Sequence, residues 1–319
     1  MKQPLRTPRR IARIPSLTAH RSRPRAPAGR VSYVDGCFVR HAEAGVHIED
    51  RGLQFADSVY EVCGVVDSRL TDEPEHLDRL ERSVREIEIA MPMSRQALQL
   101  VMRNLVRINR VRSGLLYLQV TRGTARRDHP IPQKTQRSTL IMTAHALDPA
   151  GIEAKRQTGI AVITAPDQRW ARCDIKTTQL LPNLLAKTAA RRAGAYEAWL
   201  VDREGLVTEG SSTTAWIVDK DGNLATRALT QAILPGVTRR IIFDVARAAQ
   251  LAIHERSYSP GEAKKAREAF ISSATGIYPV TAIDGVILGD GRPGPVTRRV
   301  QELYARRSGM DAGAVKGPR

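Results

Sequence analysis

Two periods of apolar residues are interleaved along the chain. Short runs repeat every second residue, as half-buried strands do, and longer runs repeat every third or fourth, as amphipathic helices do. Residues 31–34 and 37–40 flank Asp35-Gly36, a pair that favours a tight hairpin turn. A polar bend at Glu49-Asp50-Arg51-Gly52 precedes a strand over 59–66. Residues 75–89 place Leu77, Leu80, Val84 and Ile87 on one helical face, and Ser94 caps a second helix carrying Leu98, Val101, Leu105 and Ile108 on its apolar side. Strands are predicted over 115–120 and 139–144, and a turn-rich link over 147–151. That link divides the chain into a smaller N-terminal α/β domain, 31–147, and a C-terminal domain, 148–319.

The second half opens on an apolar strand, 159–164. Pro182 and Asn183 begin a helix that ends at Gly194. Strands follow over 196–201, 206–209 and 214–218, joined by tight turns at 202–205 and 219–222. Pro235-Gly236-Val237-Thr238 introduces a helix with Ile241, Ile242, Val245, Ala248 and Ala249 on one face. Ser259-Pro260-Gly261-Glu262 has the form of a capping box. A strand over 270–273, turns at Asp284-Gly285 and Asp290-Gly291, and a helix over 296–306 complete the chain. Hairpins lie among helices without a regular strand–helix alternation, so the class is α+β. There is no fixed-period repeat, no G-x-G-x-x-G and no Walker pattern.

Composition narrows the function. The 319 residues are 42% hydrophobic, and no apolar run reaches the roughly 18 residues of a membrane span. Three scattered cysteines, Cys37, Cys63 and Cys173, fit neither a disulfide framework nor a zinc site. A reducing cytoplasm is expected, and no metal. The net charge of +17 suggests nucleic acid as a partner. Nine of those charges, from Lys2 to Arg30, fall in the first 30 residues, which hold no acid. With prolines at 4, 8, 15, 24 and 27, residues 1–30 read as a disordered basic tail. A start codon placed too early, a basic arm and a transit-like presequence remain open, although the prolines break any amphipathic helix. Only 4% of residues are aromatic, which leaves few platforms for stacking bases. Nucleic-acid binding is therefore the competing function and not the expected one.

Candidate chemistry gathers in the second half, with further pieces in the first. Lys176, in Arg172-Cys173-Asp174-Ile175-Lys176, sits between a strand and a helix. Desolvation there favours a neutral amine, the form that makes a Schiff base with a carbonyl; a surface lysine is the alternative. Glu209, beside Gly210-Ser211-Ser212, could hold a proton on a ring nitrogen, or simply end a strand. Leu234-Pro235-Gly236-Val237-Thr238 forms a bend at a helix N-terminus, which suits a phosphate or a plain cap. Ser272-Ser273-Ala274-Thr275 adds hydroxyls, and Arg79 lies beside the apolar stripe of the first long helix. If extended, 119–129 puts Arg127 and His129 on one face, where the guanidinium could clamp a carboxylate; a basic loop is the alternative.

In this order the pieces resemble the pyridoxal phosphate (PLP)-dependent aminotransferases of fold type IV, the class IV aminotransferases. The resemblance spans about 32–304. It is carried by Glu49-Asp50-Arg51-Gly52, Gln54-Phe55-Ala56-Asp57, Val59-Tyr60-Glu61-Val62 and His76-Leu77-Asp78-Arg79-Leu80. Val120-Thr121-Arg122-Gly123-Thr124, the Lys176 and Glu209 segments, 233–239 and 289–294 continue it. Arg127 and His129 after Thr121-Arg122-Gly123-Thr124 resemble the D-amino acid branch. The resemblance implies a homodimer of two-domain subunits with pyridoxal 5'-phosphate in the cleft. Lys176 would be the Schiff-base lysine and proton shuttle, and Glu209 would pair with the ring nitrogen. Arg79, Val237 and Thr238 would bind phosphate with Ser273 or Thr275, and Leu234 would pack on the ring. Tyr60, Arg127 and His129 would hold the substrate carboxylate, the last two from the other subunit. The implied reaction moves an amino group from D-alanine or another D-amino acid to 2-oxoglutarate, giving pyruvate or another 2-oxo acid and D-glutamate. Branched-chain L-amino acid transamination and aminodeoxychorismate lysis are alternatives on the same fold. Leu53, Ser58 and a shortened 274–279 depart from the family pattern.

Overall fold

Backbone pairing sorts the strands into two sheets in a computed structural model that describes residues 29–133 and 137–309. The basic tail expected over 1–30 lies outside the described residues except for its last two. The first half runs β1 (Val31–Val34), β2 (Cys37–Arg40), α1 (Arg51–Phe55), β3 (Ser58–Val66), β4 (Arg69–Leu70), α2 (Glu73–Glu86), α3 (Arg95–Ile108), β5 (Gly114–Thr121) and β6 (Thr139–Ala146). Its six strands form an antiparallel sheet in the order β2-β1-β6-β5-β3-β4. The period of two decides which residues turn inward: Val59, Cys63 and Val65 of β3 pair beside Leu116, Leu118 and Val120 of β5, and all are buried. Leu77, Leu80 and Val84 of α2 and Leu98, Met102 and Leu105 of α3 close this core.

The second half contains α4 (Pro149–Thr158), β7 (Ile160–Pro166), α5 (Leu181–Arg192), β8 (Glu197–Val201), β9 (Val207–Gly210), β10 (Thr214–Val218) and β11 (Leu224–Thr226). It continues with α6 (Val237–Ala248), β12 (Ile253–Glu255), α7 (Pro260–Ala263), β13 (Glu268–Ser273), β14 (Gly276–Ile283), β15 (Val286–Ile287) and α8 (Pro295–Ser308). Its sheet has the order β12-β11-β10-β13-β14-β7-β8-β9, with β15 on β14. Pairing is mixed: β11 with β12, β14 with β7 and β7 with β8 are parallel. Trp216 stacks on Phe270 with centroids 5.4 Å apart, under Ile241 and Ile242 of α6 and Val300 and Tyr304 of α8. The α+β class stands.

Several expectations are corrected. The link at 147–151 is the start of α4: Asp148 accepts hydrogen bonds from the backbone N–H groups of Ala150 and Gly151, and Pro149 fills the first helical position. The bend at 49–52 is the cap and first turn of α1, where Asp50 accepts from Gly52 N. The apolar face of α3 uses Met102 and Val106, while Ile108 is exposed. In α6 Ala246 is buried and Ala248 is exposed. The strand expected to stop at 273 turns back as β14, with Ser273 opposite Gly276 across a two-residue turn. No described helix is long and apolar enough to cross a membrane.

The two sheets meet along one line. Tyr60 N donates to Lys176 O (2.9 Å) and Thr178 N to Ser58 O (3.2 Å), so the loop beyond β7 pairs with the open edge of β3. Arg79 Nη1 donates to Pro235 O (3.1 Å), and Tyr304 Oη donates to Asp72 Oδ2 (3.2 Å). Gly64 of β3 sits against the β13–β14 turn: a Cβ there would lie 2.8 Å from Ala274 O and 2.6 Å from Thr71 Oγ1. Gly64→Ala is expected to lower stability by about 1–3 kcal/mol, the usual cost of overpacking. Urea unfolding of the two proteins measures it.

Candidate active site

Lys176 is placed by its neighbours on both sides. Ile175 is buried in the first core, Cys173 and Asp174 are buried before it, and Thr177 bridges to Val59. Asp174 is gripped by Arg82 (2.5 Å) and by Arg172 (2.9 Å). The half-buried Lys176 amine is thereby fixed over Tyr60, with Nζ 4.3 Å from the ring centroid. Both residues line a cavity of about 340 Å³ between the sheets. Arg79, Glu209, Leu234, Val237, Thr238, Ser273 and Thr275 line the same cavity. Arg127 and His129 do not.

Glu209 is the next-to-last residue of β9 and is almost fully buried. Its Oε1 accepts from Arg169 Nη1 and from Leu234 N (3.1 Å). Burial pushes the Glu209 carboxyl up, and the Arg169 guanidinium pulls against it. Val237 and Thr238 are the first two residues of α6, whose first-turn N–H groups have no partner within the helix. The Thr238 hydroxyl donates to Ser273 O (2.9 Å), which draws the α6 terminus to the β13–β14 turn. Ser273 Oγ and Thr275 Oγ1 lie 2.9 Å apart across that turn. Cys173, in the same wall, is pushed up to about 11 by burial, so it is a thiol and not a nucleophilic thiolate at neutral pH.

Arg79 spends much of its fork on a residue for which the sequence suggests no role. Its Nε and Nη2 donate to Glu61 at 2.7 and 2.8 Å, and His76 Nδ1 donates to the same carboxylate at 2.8 Å. Glu61 is fully buried, so burial alone would push its carboxyl up; the Arg79 guanidinium, with the hydrogen bond from His76, outweighs that and holds it far below the usual carboxylate range. A sequence signal existed: Glu61 interrupts the inward-facing run Val59, Cys63, Val65, and an acid there requires a partner.

The segment carrying Arg127 and His129 bends at both residues and is not extended, so the shared face expected of a strand does not form. Both side chains are exposed, and both rest on Phe55. The Arg127 guanidinium lies 4.7 Å from the ring centroid, and the His129 ring centroid lies 5.7 Å away. Arg51 Nη1 and Nη2 donate to the carbonyls of Asp128 (2.7 Å) and His129 (3.3 Å), which fixes the segment's backbone. Ser58, one of the departures from the family pattern, bonds Thr178 and Gln119. Leu53, another, is 63% exposed.

The sequence profile of the family described as Amino-transferase class IV matches residues 58–283, which include both strand β3 and the whole cavity loop. The chain belongs to the class IV amino-transferases. Among curated proteins, this aminotransferase is 41% identical to the D-alanine aminotransferase of Bacillus licheniformis over 84% of its own length and 93% of the relative's. It is 36% identical to that of Staphylococcus haemolyticus, over 85% and 95%. Among solved structures it is similar to the branched-chain amino acid aminotransferase of Escherichia coli, with TM-score 0.80, 26% identity and coverage of 88% and 95%. It is also similar to a second branched-chain amino acid aminotransferase, solved with pyridoxamine 5'-phosphate, with TM-score 0.80, 25% identity and the same coverage. The branched-chain aminotransferase of Thermoproteus uzoniensis, solved with norvaline, is similar at TM-score 0.75 and 25% identity, with coverage of 86% and 93%.

The buried pair at Glu61 makes the stability of this aminotransferase depend on pH. Its folded carboxyl titrates below its unfolded value, so the stability it contributes is full above the ordinary carboxylate range and is lost as pH falls through the folded value. Unfolding free energy measured by denaturant should decline below about pH 4. In Glu61→Gln the decline should be shallower, and the variant should be less stable at neutral pH by about 3–5 kcal/mol because Arg79 is left buried without its acid.

Proposed function

We propose that this aminotransferase transfers the amino group of D-alanine or a related D-amino acid to 2-oxoglutarate, giving a 2-oxo acid and D-glutamate, with pyridoxal 5'-phosphate as cofactor. The likeness that carries the proposal is the 41% identity to a D-alanine aminotransferase across 93% of that relative. The donor set of the cavity supports the cofactor. An aldehyde needs an amine, and Lys176 is there; a ring nitrogen needs an acid, and Glu209 is there. A phosphate needs N–H and hydroxyl donors, which Arg79, the first turn of α6, Ser273 and Thr275 supply. Thr213 Oγ1, in the same wall, is buried without a protein partner, as a hydroxyl awaiting a ligand would be.

When bound, pyridoxal 5'-phosphate supplies an aldehyde for the amino group and a ring that draws in the electron pair left at the substrate Cα. The Lys176 amine would hold the cofactor between turnovers, take the proton from the substrate Cα and deliver it to the former aldehyde carbon of the cofactor. Glu209 keeps a proton at the ring nitrogen, and Leu234 packs against the ring. Tyr60 borders the substrate side, and Arg127 and His129 clamp the substrate carboxylate from the second subunit of a homodimer. Their exposure outside their own chain's cavity supports that route. The three free cysteines, two of them buried, support a cytoplasmic location.

Branched-chain L-amino acid transamination is the second reading, favoured by the structures to which the fold is similar. Assays of D-alanine, L-leucine and L-valine against 2-oxoglutarate separate the two. Pyruvate from D-alanine is expected, and turnover confined to the L-amino acids would overturn the assignment. Lys176→Ala should lose at least about 100-fold in kcat and should take no label when borohydride is added with the cofactor. Size-exclusion chromatography should give a dimer of the 35.2 kDa chain, and Arg127→Met should raise KM for D-alanine without releasing the cofactor.

A further inference from the structure

Arg169 lies in the loop that carries Lys176, and its side chain is only 6% exposed. Nε and Nη2 donate to the two oxygens of Asp167 at 2.9 and 2.7 Å. Nη2 also reaches Thr208 Oγ1 (3.3 Å) and Ala232 O (3.0 Å), and Nη1 donates to Glu209 Oε1. Asp167 is itself held, by Thr208 Oγ1 (2.7 Å) and through its backbone N–H to Val201 O (2.7 Å). A planar fork pinned on one side by Asp167 aims its remaining nitrogen in one direction only.

We propose, building on the assignment of Glu209 above, that Arg169 is a positioning residue for the cofactor's ring nitrogen: it keeps Glu209 ionised and turns one carboxylate oxygen toward the cavity. The geometry divides the two oxygens. Oε1 takes both Arg169 Nη1 and Leu234 N, while no described residue donates to Oε2. Glu209 lines the cavity, so Oε2 is the oxygen left for a ligand. Ionisation matters as much as aim. A carboxylate so deeply buried takes up a proton unless a cation is beside it, and a protonated Glu209 could no longer hold a proton on a ring nitrogen. The charged and titratable groups that face Glu209 are Arg169, Lys176 and Cys173 from the loop and Arg239 from α6. Arg239 bonds Glu255 (2.9 Å) and no atom of Glu209. Lys176 holds the cofactor when it is bound. Arg169 is the cation that remains bonded to Glu209, and Asp167 fixes its direction.

The test follows the proton and not only the rate. In the full-length cofactor-free chain, infrared spectroscopy, with the Glu209 band assigned through Glu209→Gln, reads whether Glu209 is ionised at neutral pH. Ionised Glu209 is expected in the native protein, the protonated acid in Arg169→Met, and a retained carboxylate in Arg169→Lys. In the loaded enzyme, 15N-labelled pyridoxal 5'-phosphate reads the ring nitrogen. It should be protonated in the native protein and in Arg169→Lys, and unprotonated in Glu209→Gln and Arg169→Met. Arg169→Met should lose on the order of 100-fold in kcat with KM for D-alanine changed far less. Arg169→Gln, which removes the charge but keeps an amide to bond Asp167, should also leave Glu209 protonated. It carries the test if Arg169→Met does not fold. A ring nitrogen indifferent to Glu209→Gln would overturn the assignment of Glu209 itself. A nitrogen sensitive to Glu209→Gln but unchanged in Arg169→Met and Arg169→Gln would overturn the role of Arg169 alone.

Discussion

Two carboxylates buried beside one cavity, Glu61 and Glu209, constrain the structure around it. A charge taken out of water is tolerated only with a partner of opposite sign in good geometry. Glu61 draws His76 and Arg79 of α2 onto β3, and Arg79 then reaches Pro235 in the other half. Glu209 draws Arg169, and Arg169 fixes the loop that ends at Lys176. The cavity walls are therefore held by ion pairs anchored in opposite sheets, with apolar cores behind each. Such pairs are weak as a source of net stability but costly to break on one side, which favours a single arrangement of the wall.

Most of the fold is legible in the sequence because its two periods are clean. The Asp35-Gly36 hairpin pairs in the register its turn dictates, and Ser94 caps α3 as a serine before an apolar stripe should. The misses have physical causes. Asp148-Pro149 carries both a turn signal and a helix-start signal, and only the backbone that follows decides between them. The strand β14 holds Pro279 next to a register shift, where a proline's missing N–H is tolerated, so its pattern does not look like a strand's. The three-residue strands β11 and β12 are too short to show a period.

The site divides along the same line. Lys176, Glu209 and the bend before α6 are readable because each lies in a local context that suits its chemistry. Glu61, Arg169 and Glu197 matter through partners distant in sequence, and a single chain of letters does not list those partners. Glu197, wholly buried, accepts from the hydroxyls of Ser211 and Ser212 and pairs with Lys187 (3.1 Å). It stiffens the loop that follows Glu209, although its own stretch reads only as an apolar strand. Phe55 is visible as part of a motif, but its place beneath Arg127 and His129 comes from the fold alone.

The pairing of the lysine loop with β3 joins backbones 120 residues apart. Contacts of that separation form late, because the chain between them must be ordered before the contact contributes anything. On a ribosome, the first sheet can be complete before the segment that seals the edge of β3 near Ser58 has been synthesised. Until then that edge presents unpaired amides and carbonyls, a surface on which another nascent chain could add a strand. Docking of the Lys176 loop thus also closes an aggregation-prone border.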